Sequence, residues 1–219
     1  DAAVTVTCGE TVILATAVMN KSPREDVDFL PLTVDYEEKL YAAGKIPGSF
    51  FRREGRPTSE SILSARLTDR SIRPLFPKNL HNEIQIVLTV MSADQENPPE
   101  ILAMIGGFAC LTISPIPFDG PIAASRIGYK DGEFTINPTF AEMDSNQLNM
   151  IVSSTKEAVV MVEAGCDEVS ESVILEGFQK AQQANSQIID MIDELRASVG
   201  KEKYEVAPID PESLKQEEE

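Results

Sequence analysis

The stretch Gly48-Ser49-Phe50-Phe51-Arg52-Arg53-Glu54-Gly55-Arg56-Pro57 sets two adjacent aromatic side chains against two adjacent guanidinium groups, between glycines. An arginine-bearing segment follows directly, with Arg66, Arg70 and Arg73 at i, i+4 and i+7. Six of the nine arginines of the 219-residue chain lie between 52 and 73, opposed there by Glu54, Glu60 and Asp69 alone. The window therefore carries about +3, against −17 for the whole chain. A local reversal of sign on so acidic a background calls for an anionic partner received at a focused patch.

The residue types narrow that anion. Aromatic faces stack on nucleobases without sequence preference, worth roughly 1–3 kcal/mol per base, while neighbouring arginines hold phosphates. Phe50, Phe51, Arg52, Arg53 and Arg56 are thus candidate ligands of a single-stranded nucleic acid such as RNA, and Gly48 and Gly55 give the loop backbone freedom. Two structural readings compete. Phe50 and Phe51 could be core side chains, although a site after Gly-Ser and before charge is a poor setting for burying consecutive residues. Arg66, Arg70 and Arg73 could form a salt-bridged helix face in which Asp69 pairs with Arg66 or Arg73, a solvated pair worth about 0–1 kcal/mol.

At 42 % hydrophobic, the chain can bury one good core, or one core plus an appendage. Its charge excludes general attraction to nucleic acid or to an anionic membrane. Three cysteines, Cys8, Cys110 and Cys166, are odd in number and far apart; Cys8 and Cys110 sit in apolar segments and read as reduced core thiols of a cytoplasmic protein. No apolar run approaches membrane-spanning length and no signal peptide precedes the first strand. The one histidine, His81, follows Pro77 in a polar turn and cannot build a His-based metal site.

The elements that must position the patch follow from periodicity. Val4 to Cys8 alternates as a strand, Gly9-Glu10 turns, and Thr11 to Val18 is a buried strand; an opening in mid-sheet reads as an N-terminally incomplete domain. Asn20 to Asp28 is a loop, Phe29 to Val34 a strand, and Lys39 to Gly48 too broken by glycine and proline for an element. Thr58 or Ser59 caps a helix that ends before Pro74, with Glu60 in its first turn and Leu63 and Leu67 marking its apolar face. Asn82 to Ala93 is a strand, Asp94 to Pro99 a loop, and Glu100 to Ile113 a helix apolar nearly all round, buried between layers, with close packing at Gly106-Gly107. Two hairpins follow, 121–136 around Lys130-Asp131-Gly132 and 148–163 around Ser154 to Glu157. Ser170 then opens a long helix with Val173, Ile174, Gly177, Ala181, Ala184, Ile188, Ile192 and Leu195 at helical spacing. Residues 201–219 are charged, carry Pro208 and Pro211, end in the solvated run Gln216 to Glu219, and read as a linker. The expected fold class is α+β: a mixed or antiparallel sheet with packed helices and a long C-terminal helix.

At Gly48 to Arg56 and along Arg66-Leu67-Thr68-Asp69-Arg70-Ser71-Ile72-Arg73-Pro74-Leu75-Phe76 the chain resembles bacterial polynucleotide phosphorylase, a family with two RNase PH-like core domains per subunit. Further agreement runs through 28–36, 41–47, 101–106, Gly120-Pro121-Ile122 and 132–139, most of residues 9 to 178. The likeness is to the first core domain. It implies an RNase PH-like layered fold over residues 1–200, with 201–219 starting the linker toward an all-helical domain. It also implies a 3′-to-5′ phosphorolytic exoribonuclease that can polymerise nucleoside diphosphates, acting in mRNA degradation with Mg²⁺ and inorganic phosphate. The implied partners are single-stranded RNA, two further copies in a homotrimer, the second core domain and a degradosome-type complex. Loops like 48–56 from three subunits would constrict the central pore, and Arg66, Arg70 and Arg73 would offer cations to RNA from a cleft against the second core domain.

In that family an aspartate cluster with a lysine and a serine-rich phosphate loop, both in the second core domain, carry the chemistry. The stretch corresponding to the aspartate strand is 142–151, where Met143, Gln147, Asn149 and Ile151 stand in place of carboxylates and lysine; none holds Mg²⁺ with charge. The serine loop falls near Asn97-Pro98-Pro99-Glu100, where prolines remove backbone donors and Glu100 repels phosphate. No catalytic or metal-binding residue is therefore assigned to this chain. Two alternatives remain: a single-domain RNase PH, which would need the missing aspartates, and a non-catalytic RNA-binding ring subunit of an exosome-like complex.

Overall fold

β-branched and apolar runs build two four-stranded sheets, with one apolar helix between them. A computed structural model describes residues 1–24, 27–48 and 50–206. Ser49 and the acidic run ending at Glu219 lie outside the described residues. The first sheet comprises β1 (Ala2–Cys8), β2 (Thr11–Pro23), β3 (Leu32–Glu38) and β4 (Asn82–Ser92), in the order β1-β2-β4-β3. β1, β2 and β4 pair antiparallel, whereas β3 lies parallel to β4 on the edge, making this sheet mixed. The second sheet, β5 (Ala123–Lys130), β6 (Glu133–Ile136), β7 (Leu148–Ser154) and β8 (Val159–Cys166), has the order β6-β5-β7-β8 and is wholly antiparallel. Among the described residues the four α-helices are α1 (Ser59–Ile72), α2 (Pro99–Ile113), the single turn α3 (Phe140–Met143) and α4 (Glu171–Val199).

Helix α2 is the centre. It packs on β1, β2, β4, β5 and α4, and its residues from Ala103 to Ile113 are all buried. An all-apolar helix has no solvent face to offer, so it must lie between layers. Its glycines set the approach distance: a Cβ on Gly106 would lie 3.0 Å from the Ala15 Cβ and 3.3 Å from the Val6 Cγ2. The C-terminal carbonyls of α2 are met by residues 201–206: Lys201 N donates to Ile113 O, Tyr204 N to Pro115 O, and Lys203 Nζ to Leu111 O and Ser114 O. The segment read as the start of a linker is thus a strap against the core up to residue 206, because those carbonyls need donors once buried.

The α+β class, the central buried helix, both hairpins and the long last helix agree with the sequence reading. Three details of the strands and thiols differ. β3 begins at Leu32 rather than Phe29 and continues through Asp35 and Glu37, because as an edge strand it pairs along its whole length with β4, from Leu32↔Ile84 to Glu38↔Val90. β2 runs on to Pro23, past a register shift after Met19. Cys8, expected in the core, is exposed at the end of the edge strand β1, while Cys110 is buried and all three thiols are free.

Candidate nucleic-acid interface

The loop between β3 and α1 is held at its two ends. At the upstream end a 3-10 turn, Leu40–Ala43, hangs on the first sheet: Ala93 N donates to Ala42 O and the Tyr41 hydroxyl reaches the Met91 sulfur. At the downstream end Thr58 caps α1, its Oγ1 accepting from Ser61 N at 3.1 Å, and Glu60 lies in the positive first turn. Between these anchors Phe50 is 95 % and Phe51 76 % exposed, with ring centroids 5.4 Å apart and planes nearly perpendicular. Arg52 adopts a left-handed backbone (φ 49°), uncommon for a residue with a Cβ. Core burial of the phenylalanine pair is excluded.

The six arginines of the window divide into two sets. Arg73 forms a bidentate pair with Asp69, at 2.6 and 3.0 Å, and donates to Leu30 O. Arg70 bridges from α1 to the second sheet, donating to Val162 O at 2.8 Å and to the Glu163 carboxylate at 2.7 Å. Among the described residues Arg52, Arg53, Arg56 and Arg66 have no ion-pair partner, and all four are exposed. Of the acidic residues in the window, Asp69 is spent on Arg73, and Glu54 accepts the backbone N–H of Leu40 at 3.1 Å. Four cations and two aromatic rings are left facing solvent. Arg66 lies against the groove formed by β3 and α1, beside Ile62, Ala65 and Asp69.

Helix α1 carries its side chains differently from the periodicity reading. Its buried residues are Ser61, Thr68, Ser71 and Ile72; Leu67 is half-buried, and Leu63 and Ile62 are 57 % and 51 % exposed. Small hydroxyl side chains let the helix lie close: the Ser71 and Ser153 hydroxyls meet at 2.8 Å, and Thr68 lies beside Gly107. The expected apolar face thus splits, with Leu63 outside.

In the turn before α2 the Glu96 and Asn97 donors are already engaged, and the nearby Arg126 is ion-paired. Asp94 accepts the backbone N–H groups of Asn97 and Glu96 and the Asn97 side-chain amide, at 2.7–2.9 Å, and these donors, Asn97 first, hold its carboxyl far below the usual carboxylate range. Glu100 pairs with Arg126 of β5 in a largely buried contact of 2.5 Å. Neither Asp94 nor Arg126 stands out in the sequence as a site residue, although Asp94-x-x-Asn97 ahead of two prolines is a readable side-chain-capped turn. In 142–151, Glu142 closes a capping box with Thr139, Gln147 accepts from Asp131 N, and Asn149 bonds Asn146 and Met143 O. Only from Leu148 is this stretch strand, and Ile151 is buried. At Met143, Gln147 and Asn149, the positions set against the aspartate strand, a thioether and two amides bring no charge to Mg²⁺, so no metal chemistry is assigned to them.

Two four-stranded sheets enclosing a helix, with a long closing helix and an aromatic–arginine loop beside them, define an RNase PH-like chain. Residues 1–117 match the 3′ exoribonuclease family, domain 1, and residues 120–184 match domain 2 of the same family, so the chain belongs to that family. Both units fall inside the region read from the sequence as one domain over 1–200. Proteins named polyribonucleotide nucleotidyltransferase are similar throughout: that of Dehalococcoides mccartyi is 52 % identical over 216 residues, covering 98 % of this chain and 30 % of the relative. That of Roseiflexus sp. is 53 % identical over 208 residues, covering 95 % and 28 %. The chain thus spans about 30 % of the length of the curated relatives it matches. The crystal structure of rice (Oryza sativa) Rrp46 superposes with a TM-score of 0.68 at 15 % identity, over 85 % of this chain and 84 % of that one, a likeness of fold.

Proposed function

We propose that this chain is the first RNase PH-like core of a 3′-to-5′ phosphorolytic exoribonuclease and nucleoside-diphosphate polymerase that degrades mRNA in the cytoplasm as a homotrimer. In this reading the chain grips single-stranded RNA and scaffolds the trimer, while a second core domain of the same polypeptide performs the chemistry with Mg²⁺ and phosphate. The observation that carries it is the exposed Phe50–Phe51 pair with Arg52, Arg53 and Arg56 in the same loop and Arg66 on α1, four arginines without an ion-pair partner among the described residues. Rings that stack and cations that neutralise phosphate, without base-edge readout, suit an RNA of any sequence. Arg70 and Arg73 belong to the same face: Arg70 holds α1 against β8, Arg73 is engaged by Asp69 of its own helix and by Leu30 O, and the N–H groups left over, most of them on Arg70, can meet a phosphate. The engaged donors at Asp94 and the Glu100–Arg126 pair support a silent role at this chain's own α2 terminus.

The test is direct. Incubated with poly(A), phosphate and Mg²⁺, the isolated chain is expected to release no nucleoside diphosphate. Release above a no-protein control would overturn the silent assignment.

A further inference from the structure

The stretch from Ile46 to Pro57 makes one hydrogen bond to the rest of the protein among the described residues: the Glu54 Oε1 accepts the Leu40 N–H at 3.1 Å. No ion pair involves any described residue of that stretch. The acceptor lies at the start of the 3-10 turn Leu40–Ala43, whose own N-cap residue, Lys39, makes no side-chain cap bond and whose first turn has no acidic residue. A helical turn leaves its first N–H groups unsatisfied, and a carboxylate is a strong acceptor for one of them. Here that carboxylate comes from fourteen residues downstream, inside the arginine loop. The turn it caps is fixed in turn to the end of β4 through Ala93 N and Ala42 O. Glu54 also lies with Phe51, Arg53 and Leu40 around one open cavity, so the tether and the gripping side chains share a wall.

We infer that Glu54 is a positioning residue, the tether that sets where the Phe50–Arg56 loop stands; the inference rests on the RNA-grip reading. Two consequences follow from its chemistry. A carboxylate in an arginine-rich loop could salt-bridge a neighbouring guanidinium and weaken the grip; held on the Leu40 N–H, Glu54 pairs with none of them among the described residues. And a loop with no other hydrogen bond to the protein among its described residues, once it loses its tether, must bear the ordering cost when RNA binds.

The sign of the effect separates this from simple charge. If Glu54 mattered only as an anion near RNA phosphates, Glu54→Ala and Glu54→Gln would both tighten RNA binding. As a tether, Glu54→Ala weakens binding, and Glu54→Gln, which keeps an acceptor oxygen, does not. Leu40→Pro removes the donor from the other side; Lys39 is already extended (φ −75°, ψ 138°), as a residue before proline requires, and Leu40 is the first helical position, where proline is tolerated.

The experiment measures the affinity of the full-length protein for a long, labelled oligo(A) by fluorescence anisotropy, with kcat and KM for phosphorolysis of long RNA and of a trinucleotide. Glu54→Ala and Leu40→Pro are expected to weaken oligo(A) binding about fivefold. They should raise KM for long RNA and leave kcat on the trinucleotide unchanged. Glu54→Gln should stay within about twofold of the parent or bind more tightly. Tighter binding by Glu54→Ala, or parental binding by Leu40→Pro, would overturn the tether. Phe50→Ala with Phe51→Ala in the same assay isolates the underlying reading: if that variant binds normally the grip itself is wrong, whereas if it alone weakens binding only the tether is.

Discussion

Phe50 and Phe51 could be read from the sequence because their setting is wrong for a core and right for stacking, and the structure leaves both rings in solvent. The arginines were only half legible. Asp69 paired with Arg73 is a local i, i+4 contact, but Arg70 reaches Glu163, ninety-three residues away, and no spacing rule reveals such a partner. Glu54 escaped for the same reason: its partner is a backbone N–H in a stretch with no period to read. The cysteines give a check at this scale. Cys110 is buried and donates to Ala15 O, and burial, the largest influence, pushes its thiol up to about 12. In the folded chain at pH 8, Ellman's reagent should titrate Cys8 and Cys166 and spare Cys110, which becomes reactive only in denaturant. Three fast thiols in the native chain would contradict the packing of α2.

Among the elements, α2 was fully legible, since a helix apolar all round admits one placement. Helix α1 was not, because beside Ile72 its buried face is made of Ser61, Thr68 and Ser71, residues that hydrophobic periodicity discards. A similar case arises in α4, where Asn185 is buried between Ala181 and Ile189 and donates to Val152 O and the Ser154 hydroxyl. Small or amide side chains mark places where backbones come close or carbonyls need donors, and a scale of hydrophobicity counts them as surface. Two stability tests belong here. Gly106→Ala should destabilise by about 1–3 kcal/mol despite the better helix propensity of alanine, because the new methyl meets Ala15 Cβ at 3.0 Å and neither β2 nor α2 can yield. At Gly107 the new methyl faces the flexible end of Leu88 at 3.3 Å, and the change should be nearly neutral. Equal effects at both positions in urea denaturation would refute the close approach at Gly106. Thr58→Ala should cost about 1 kcal/mol through the lost N-cap, with Ser59→Ala near zero.

For this chain as a whole, the charge of −17 sets, on the proposed reading, the terms on which RNA would approach it. An acidic body repels polyanions at long range, and under the proposed function a small, unneutralised cationic loop would admit them at one place. Raised salt should therefore weaken long-RNA binding with a slope corresponding to a few phosphates, fewer than a broadly basic RNA-binding surface would give. The two sheets around α2 and the family match over both halves supply the frame on which that loop stands. The product-length distribution during phosphorolysis of long poly(A) by the full-length protein carrying Phe50→Ala with Phe51→Ala tests the account most directly. Loss of the grip predicts a shift from fully shortened products to a ladder of intermediates as the enzyme dissociates between steps. An unchanged distribution, with parental RNA affinity, would contradict the role assigned to the loop.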